Sequence, residues 1–415
     1  MCLYEPGTLA RLLRSCYKCR ELMSKFFTRE RFGTPQYIAA FLLLIFLAQC
    51  GWFISRAPLN QVEAGYIQAG LLMLNGAGPA GDQYRTPLVS LLSAVPVSVL
   101  VNRASASAWQ GFWPDQFFLD QHRWIIRFPF LMMGLLLGAS VWYVARRLFG
   151  NPGGYIALAL YVFSPAMIAR SSLVGPQIPA AWGAFGLIFT GIAVAHTLYA
   201  PREVIFWNWR RIILLGISIA LAIGSQFALW VVLPIALGFM LWAVPHRRGA
   251  ALAILCGSTL VAALLLWSTY FFKPFDFLSG LAQAQWLGLD PRMLLSSQPY
   301  RLTAAFMLRD LPAPTLLLLV ALGAFIAWKR PRFFGNFAPL IVLATLLLLS
   351  FAASQGIGLY LLFVSLPFLM VFVSGVFADL LESSRGTVAL GISIGVLGTH
   401  ALLSVIGLVQ LASGR

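Results

Sequence analysis

Uninterrupted apolar segments recur along this chain at lengths that fit a lipid bilayer. Stretches near 37–55, 128–145, 153–172, 178–198, 250–271, 312–328, 337–353, 359–378 and 387–411 match or approach the ~17–25 residues that a helix needs to cross the hydrocarbon core. A longer stretch, 211–244, is basic at both ends, with Arg210 and Arg211 before it and His246, Arg247 and Arg248 after it. Lys and Arg favour the cytoplasmic side, so this stretch reads as two short spans joined by an outer turn near Gln226–Trp230. The expected fold class is all-α, a polytopic integral membrane protein with about 11 transmembrane helices.

Composition narrows the function classes. Of 415 residues 60% are hydrophobic and 10% charged, which excludes an ordinary soluble domain. The formal charge of +16 does not point to nucleic acid, because the basic residues punctuate apolar runs and do not gather on one face. Cys2, Cys16 and Cys19 lie in a basic tail, 1–36, while Cys50 and Cys256 fall in or beside apolar spans. No disulfide framework follows from that scatter, and the Cys16/Cys19 pair lacks the second pair that tetrahedral zinc requires. The tail is too long and polar for a cleavable signal, so the first apolar run is expected to stay as an anchor.

Charge asymmetry orients the chain. With the N-terminus cytoplasmic, the inner segments collect Arg146, Arg147, Arg202, Arg210, Arg211, Lys329, Arg330, Arg332 and Arg385. Two long segments, 56–127 and 272–311, then lie outside and hold Glu63, Asp82, Asp115, Asp120, Asp276, Asp290 and Asp310. In a bacterium this places the transmembrane domain, 37–411, in the inner membrane with its acids on the periplasmic face. Gly65–Leu74 and Pro87–Val101 are apolar at near-helical spacing and read as interfacial helices within the first outer loop. Trp109, Phe112, Trp113, Phe117, Phe118 and Trp124 supply an aromatic belt.

Several short motifs stand in a fixed order. Val62-Glu63-Ala64-Gly65-Tyr66 opens the outer loop, Thr86-Pro87-Leu88 forms a later turn, and Arg127-Phe128-Pro129 leads back into the membrane. Ala145-Arg146-Arg147-Leu148-Phe149-Gly150, Ser164-Pro165, Gly175-Pro176-Gln177 and Leu359-Tyr360-Leu361-Leu362 with Pro367 follow. In this order the chain resembles the GT-C superfamily of membrane glycosyltransferases, in the branch of protein O-mannosyltransferases and the lipid A aminoarabinose transferase. The resemblance covers most of 37–380. It implies a GT-C-like fold, a polyprenyl-phosphate-linked sugar donor, and a lipid, glycan or protein acceptor. The chain departs from the pattern where Val62 replaces the first acid of an Asp-Glu pair, Gly175 and Gln177 replace the Arg and Asp of Arg-Pro-Asp, and Leu359 replaces a late Arg.

Sugar transfer from a lipid phosphate needs a base for the acceptor's proton, positive charge or a metal at the leaving phosphate, and exclusion of water. The register assigns Glu63 as catalytic base and Asp82, Arg85, Arg127, Tyr66 and Gln177 as substrate-binding residues. Arg127 and Arg170 stand at outer helix ends, where a guanidinium reaches lipid headgroups or a donor phosphate. No metal site is assigned. A divalent cation is the one open cofactor candidate, with His122, Asp115 and Asp120 the only cluster to weigh for it. His196, His246 and His400 read as structural. The expected partners are the lipid-linked donor, membrane lipids and other membrane proteins. The competing reading is a GT-C-derived scaffold subunit that has lost its acids.

Overall fold

The computed structural model describes residues 33–75, 86–104, 116–198, 209–284, 286–327, 336–382 and 386–412. These form helices joined by short turns, with no strand among the described residues and a single antiparallel bridge between Leu289 and Ala353.

Helix α1 (Thr34–Arg56) begins where the Gln36 side chain accepts the Gly33 N–H, with Pro35 in its first turn. Proline suits that position because the N–H it lacks would have no partner there and its φ is preset. Helix α2 (Gln61–Leu74) is started by Asn60, whose side chain accepts from the Glu63 N–H at 2.9 Å while Glu63 Oε2 accepts from the Asn60 N–H at 3.1 Å. This reciprocal capping box satisfies two of the donors that a helix start leaves open. Helix α3 (Pro87–Ala104) crosses α2 at Gly70, where an added Cβ would collide with the Ser90 carbonyl. Small residues let helix backbones approach closely. Together α2 and α3 enclose a compact apolar cluster of Ile67, Leu71, Val89, Ala94, Val97 and neighbours. The two helices expected in the first outer loop are therefore present and packed on each other.

A short helix, α4 (Gln116–Gln121), leads into α5 (Arg123–Val162), which is 40 residues long and broken at Gly150. Gly150 has φ 75, a left-handed conformation that glycine alone adopts without a Cβ penalty. The two arms fold back on each other. Gly134 and Gly138 on one arm admit Ser171 and Tyr161, and the Tyr161 hydroxyl donates to the Gly134 carbonyl at 2.6 Å.

Helix α6 (Pro165–Ser171), capped by Ser164, ends in the turn that starts α7 (Gln177–Thr197). Then come α8 (Trp209–Ser225), a 3-10 turn over Phe227–Val231, and α9 (Val232–Ala243). The two helices read from 211–244 and the turn near Gln226–Trp230 are present, at 17 and 12 residues outside the set long enough to count as spans. Helix α10 (Arg248–Ser268) is followed by α11 (Pro274–Gln283), a 3-10 turn (Pro291–Leu295) and α12 (Ser297–Asp310). The chain continues through α13 (Pro312–Ala327), α14 (Ala338–Ala352), α15 (Gln355–Leu381) and α16 (Gly386–Ala412).

Helix α15 is the axis of the core, buried throughout its apolar window and packed against α5, α7, α13 and α14. By length and composition 6 described helices can cross a membrane, or up to 7 with the bent pair α12–α13 counted as one. The larger number read from the sequence needs the arms of α5 counted separately and α8, α9, α13 and α14 crossing as well.

Candidate functional site

The segment between α1 and α5 converges on Glu63. Placed at the third position of α2 by its capping box, the carboxylate points inward and is 1% exposed. Arg127, in the second turn of α5, meets it with two parallel hydrogen bonds, Nε to Oε1 at 2.9 Å and Nη2 to Oε2 at 2.7 Å. The Val174 N–H donates to Oε1 at 2.8 Å. Arg127 is itself 0% exposed, and its remaining donors reach the carbonyls of Ala57 at 2.7 Å and Pro58 at 2.9 Å. One ion pair thus joins the exit of α1, the start of α2, the entry of α5 and the turn before α7.

Two neighbours complete the tie. Asp120 Oδ1 accepts from the Leu59 N–H at 2.8 Å, and Arg123 Nη2 donates to the Ser55 carbonyl at 2.8 Å. Asp120, Arg123 and Arg127 therefore fasten the segment between α1 and α2 from one side.

This environment differs from the one expected for a base. A general base needs an oxygen within reach of the acceptor's proton. The Glu63 oxygens already accept four hydrogen bonds and face no open space. Four of the five Arg127 donors are likewise taken by protein groups, which leaves no fork for a phosphate. Gln177 is the first residue of α7, half-buried, with its amide oxygen lying over Gly175. Asp82 and Arg85 lie outside the described residues.

A second set of polar groups gathers on the same face. The Tyr66 hydroxyl, on α2, is within hydrogen-bonding reach of Tyr360 on α15 and of Thr86 just before α3; burial and then Tyr360 push its phenol above the usual range. The charge of Arg170, near the end of α6, is felt at Tyr360 and at Asp310 on the last turn of α12. Arg170 is exposed, and among the described residues no carboxylate lies within ion-pair distance of it. Among the described residues the one ion pair of Asp310 is a long 4.0 Å contact to Arg309. Its carboxyl is held above the usual range by burial, against the opposing pull of Arg309 and Arg170.

The sequence flagged Arg170 at an outer helix end and carried Tyr360 within a motif, but it did not join either to Asp310. Nothing in their spacing could, since Arg170, Asp310 and Tyr360 lie on helices far apart in the sequence. Among the described residues no group of three or more His, Cys, Asp or Glu is placed to hold a metal ion. His122 Nδ1 instead lies 2.9 Å from the Phe118 carbonyl. A separate cleft of about 400 Å³ between α1 and α16, lined by Ile45, Gln49, Trp52 and Val405, contains none of these groups.

The architecture has solved counterparts. The oligosaccharyltransferase AglB of Archaeoglobus fulgidus, in complex with an inhibitory peptide and a dolichol-phosphate, superposes with a TM-score of 0.61 at 15% identity, over 89% of this chain and 55% of that one. ArnT of Cupriavidus metallidurans, bound to undecaprenyl phosphate, gives 0.55 at 14% identity, over 89% of this chain and 64% of that one. The fold is that of the GT-C membrane glycosyltransferases. The chain shares this fold and spans 55% and 64% of the length of these two counterparts. The family model of dolichyl-phosphate-mannose-protein mannosyltransferases matches residues 116–271, less than half of the chain. No curated protein matches by sequence.

Proposed function

We propose that this GT-C protein is a glycosyltransferase that takes its sugar from a polyprenyl-phosphate carrier. The reaction would take place on the face that carries Tyr66, Thr86 and Arg170, the outer face of a bacterial inner membrane. The observation that carries the reading is Arg170, an exposed guanidinium without an ion-pair partner among the described residues, beside two tyrosines and a carboxyl on this fold. A guanidinium presents its donors in a planar fork suited to phosphate. The lipid phosphates in the AglB and ArnT structures support the same class of ligand.

In the proposed transfer, an acceptor oxygen or nitrogen attacks the anomeric carbon. The bond from that carbon to the phosphate oxygen breaks, and its electron pair leaves on the lipid phosphate. Arg170 balances the charge that develops there, and Arg85 is assigned a phosphate contact on the resemblance alone. Asp310 receives the acceptor's proton, because it is the carboxylate beside Arg170 that protein donors leave most open. Asp82 and Gln177 orient hydroxyl groups, and the Tyr66–Tyr360 pair lines the site. Glu63 and Arg127 act by holding the loop in place.

A second reading is favoured by one specific observation. The residue before Glu63 is Val62, apolar and 66% exposed, so the face of α2 turned away from the ion pair carries no acid at that position. On that reading the chain binds the lipid carrier without transferring its sugar. Transfer from a radiolabelled undecaprenyl-phosphate sugar by the purified protein separates the two. Turnover that collapses in Arg170→Ala and Asp310→Asn supports the transferase; carrier binding without turnover supports the second reading.

A further inference from the structure

Exposed apolar side chains run along α10 and do not stop where the helix ends. Leu260 and Leu264 are exposed on the side of α10 turned away from the core. The chain then turns through Phe271 and Phe272, whose φ values of 52 and 58 are left-handed in residues that carry bulky side chains. Single left-handed residues of this kind are strained and persist only where their surroundings hold them. Here the Phe272 N–H donates to the Trp267 carbonyl at 3.3 Å, and the two rings meet edge-on at 5.3 Å.

The turn delivers α11 with a defined face. Phe277 packs on Tyr270 at 5.5 Å between ring centroids, and Gly280 lies against the same tyrosine. That face points to the protein. The opposite face carries Phe275, 84% exposed, and Leu278, 61% exposed, continuing the line of Phe271 and Phe272. Lys273 and Asp276 flank it as a long 3.9 Å pair. Trp286 then ties the far end back to the 3-10 turn through Phe227 at 5.6 Å.

We propose that the Phe271–Phe272 turn and the outward face of α11 are a wedge seated in the outer leaflet, at the boundary between headgroups and acyl chains. The occupant of this surface is bilayer lipid. The argument is continuity: α10 is long and apolar enough to cross a membrane and exposes Leu260 and Leu264, and Phe271, Phe272, Phe275 and Leu278 carry the exposed apolar side chains past its end, with Lys273 and Asp276 at the edge. Water against four such side chains would be unfavourable, whereas an amphipathic helix buries its apolar face at this depth. The strained turn has a role in this arrangement, because it swings α11 away from the axis of α10 and back toward the membrane plane.

The test uses the full chain in nanodiscs of phosphatidylethanolamine and phosphatidylglycerol with labelled acyl chains. A benzophenone amino acid is placed at position 275, at 278 or, as the aqueous control, at 292. Illumination is expected to give lipid adducts at 275 and 278 several-fold above 292. Equal yields at the three positions, or protein adducts in place of lipid, overturn the proposal. A benzophenone could itself favour the bilayer, so hydrogen exchange of the unmodified chain gives a second readout. Amides of α11 are expected to exchange several-fold more slowly than those of the Pro291–Leu295 turn in nanodiscs, and equal rates overturn it.

Discussion

Glu63 and Arg127 share two parallel hydrogen bonds of 2.9 and 2.7 Å in a place that neither lipid nor water reaches. The pair closes the segment between α1 and α5 as a strap closes a bundle, since its other bonds run to Ala57, Pro58, Asn60 and Val174. Removing one member leaves a buried charge without its partner, which typically costs about 3–5 kcal/mol. Glu63→Ala and Arg127→Ala should each lower the unfolding midpoint in detergent by that order. A combined Glu63→Leu, Arg127→Met variant should recover only part, because the carbonyls of Ala57 and Pro58 and the Val174 N–H stay unpaired. Full recovery would show that those backbone bonds contribute nothing.

How much of this was legible in the sequence depends on distance along the chain. The all-helical fold, the two helices of 211–244 and the two helices α2 and α3 follow from local periodicity, so they could be read directly. Glu63 and Arg127 were both singled out, each as a separate outer polar residue. Their pairing was not visible, because a residue at a helix start looks the same whether its side chain faces inward or outward. The capping box at Asn60 was the available signal: it fixes Glu63 at the third helical position and with it the direction of its carboxylate. Asp310 was hidden for a different reason, since its neighbours come from α6 and α15, far away in sequence.

The crossing of α2 and α3 depends on a missing side chain at Gly70. An added Cβ would strike the Ser90 backbone, which has no rotamer to move. Gly70→Leu should therefore destabilise the protein by about 1–3 kcal/mol or more, through overpacking. Thermal unfolding monitored by intrinsic fluorescence measures it. An unchanged midpoint would mean that the two helices separate at little cost.

Asp310 makes the proposed transfer dependent on pH in a stated direction. A proton acceptor works as the carboxylate, and burial raises the pKa of this one. Turnover should fall with decreasing pH at values above those of an ordinary aspartate, ~3.9. In Asp310→Asn this acid limb should vanish together with the activity, whereas Asp310→Glu should keep a displaced limb. A wild-type profile that is flat down to the ordinary aspartate range would remove Asp310 from the reaction.

Val62 offers a gain-of-function test. Its side chain is largely exposed, so Val62→Asp should change stability by no more than about 0.5 kcal/mol. If the exposed face of α2 borders the acceptor, a carboxylate there should raise turnover with the labelled donor. A stable variant with unchanged turnover would place the acceptor elsewhere.

The central claim is that the face carrying Arg170 binds a polyprenyl phosphate, and direct binding tests it without any need for turnover. Native mass spectrometry or titration calorimetry with undecaprenyl phosphate should show saturable binding to the purified protein. Arg170→Ala should weaken that binding by about tenfold or more, the loss of one charge-assisted contact worth ~1.5–3 kcal/mol. The unfolding midpoint should stay in place, because the side chain is exposed and makes no ion pair with a described residue. Equal affinity of the wild-type and Arg170→Ala proteins for undecaprenyl phosphate would contradict the account.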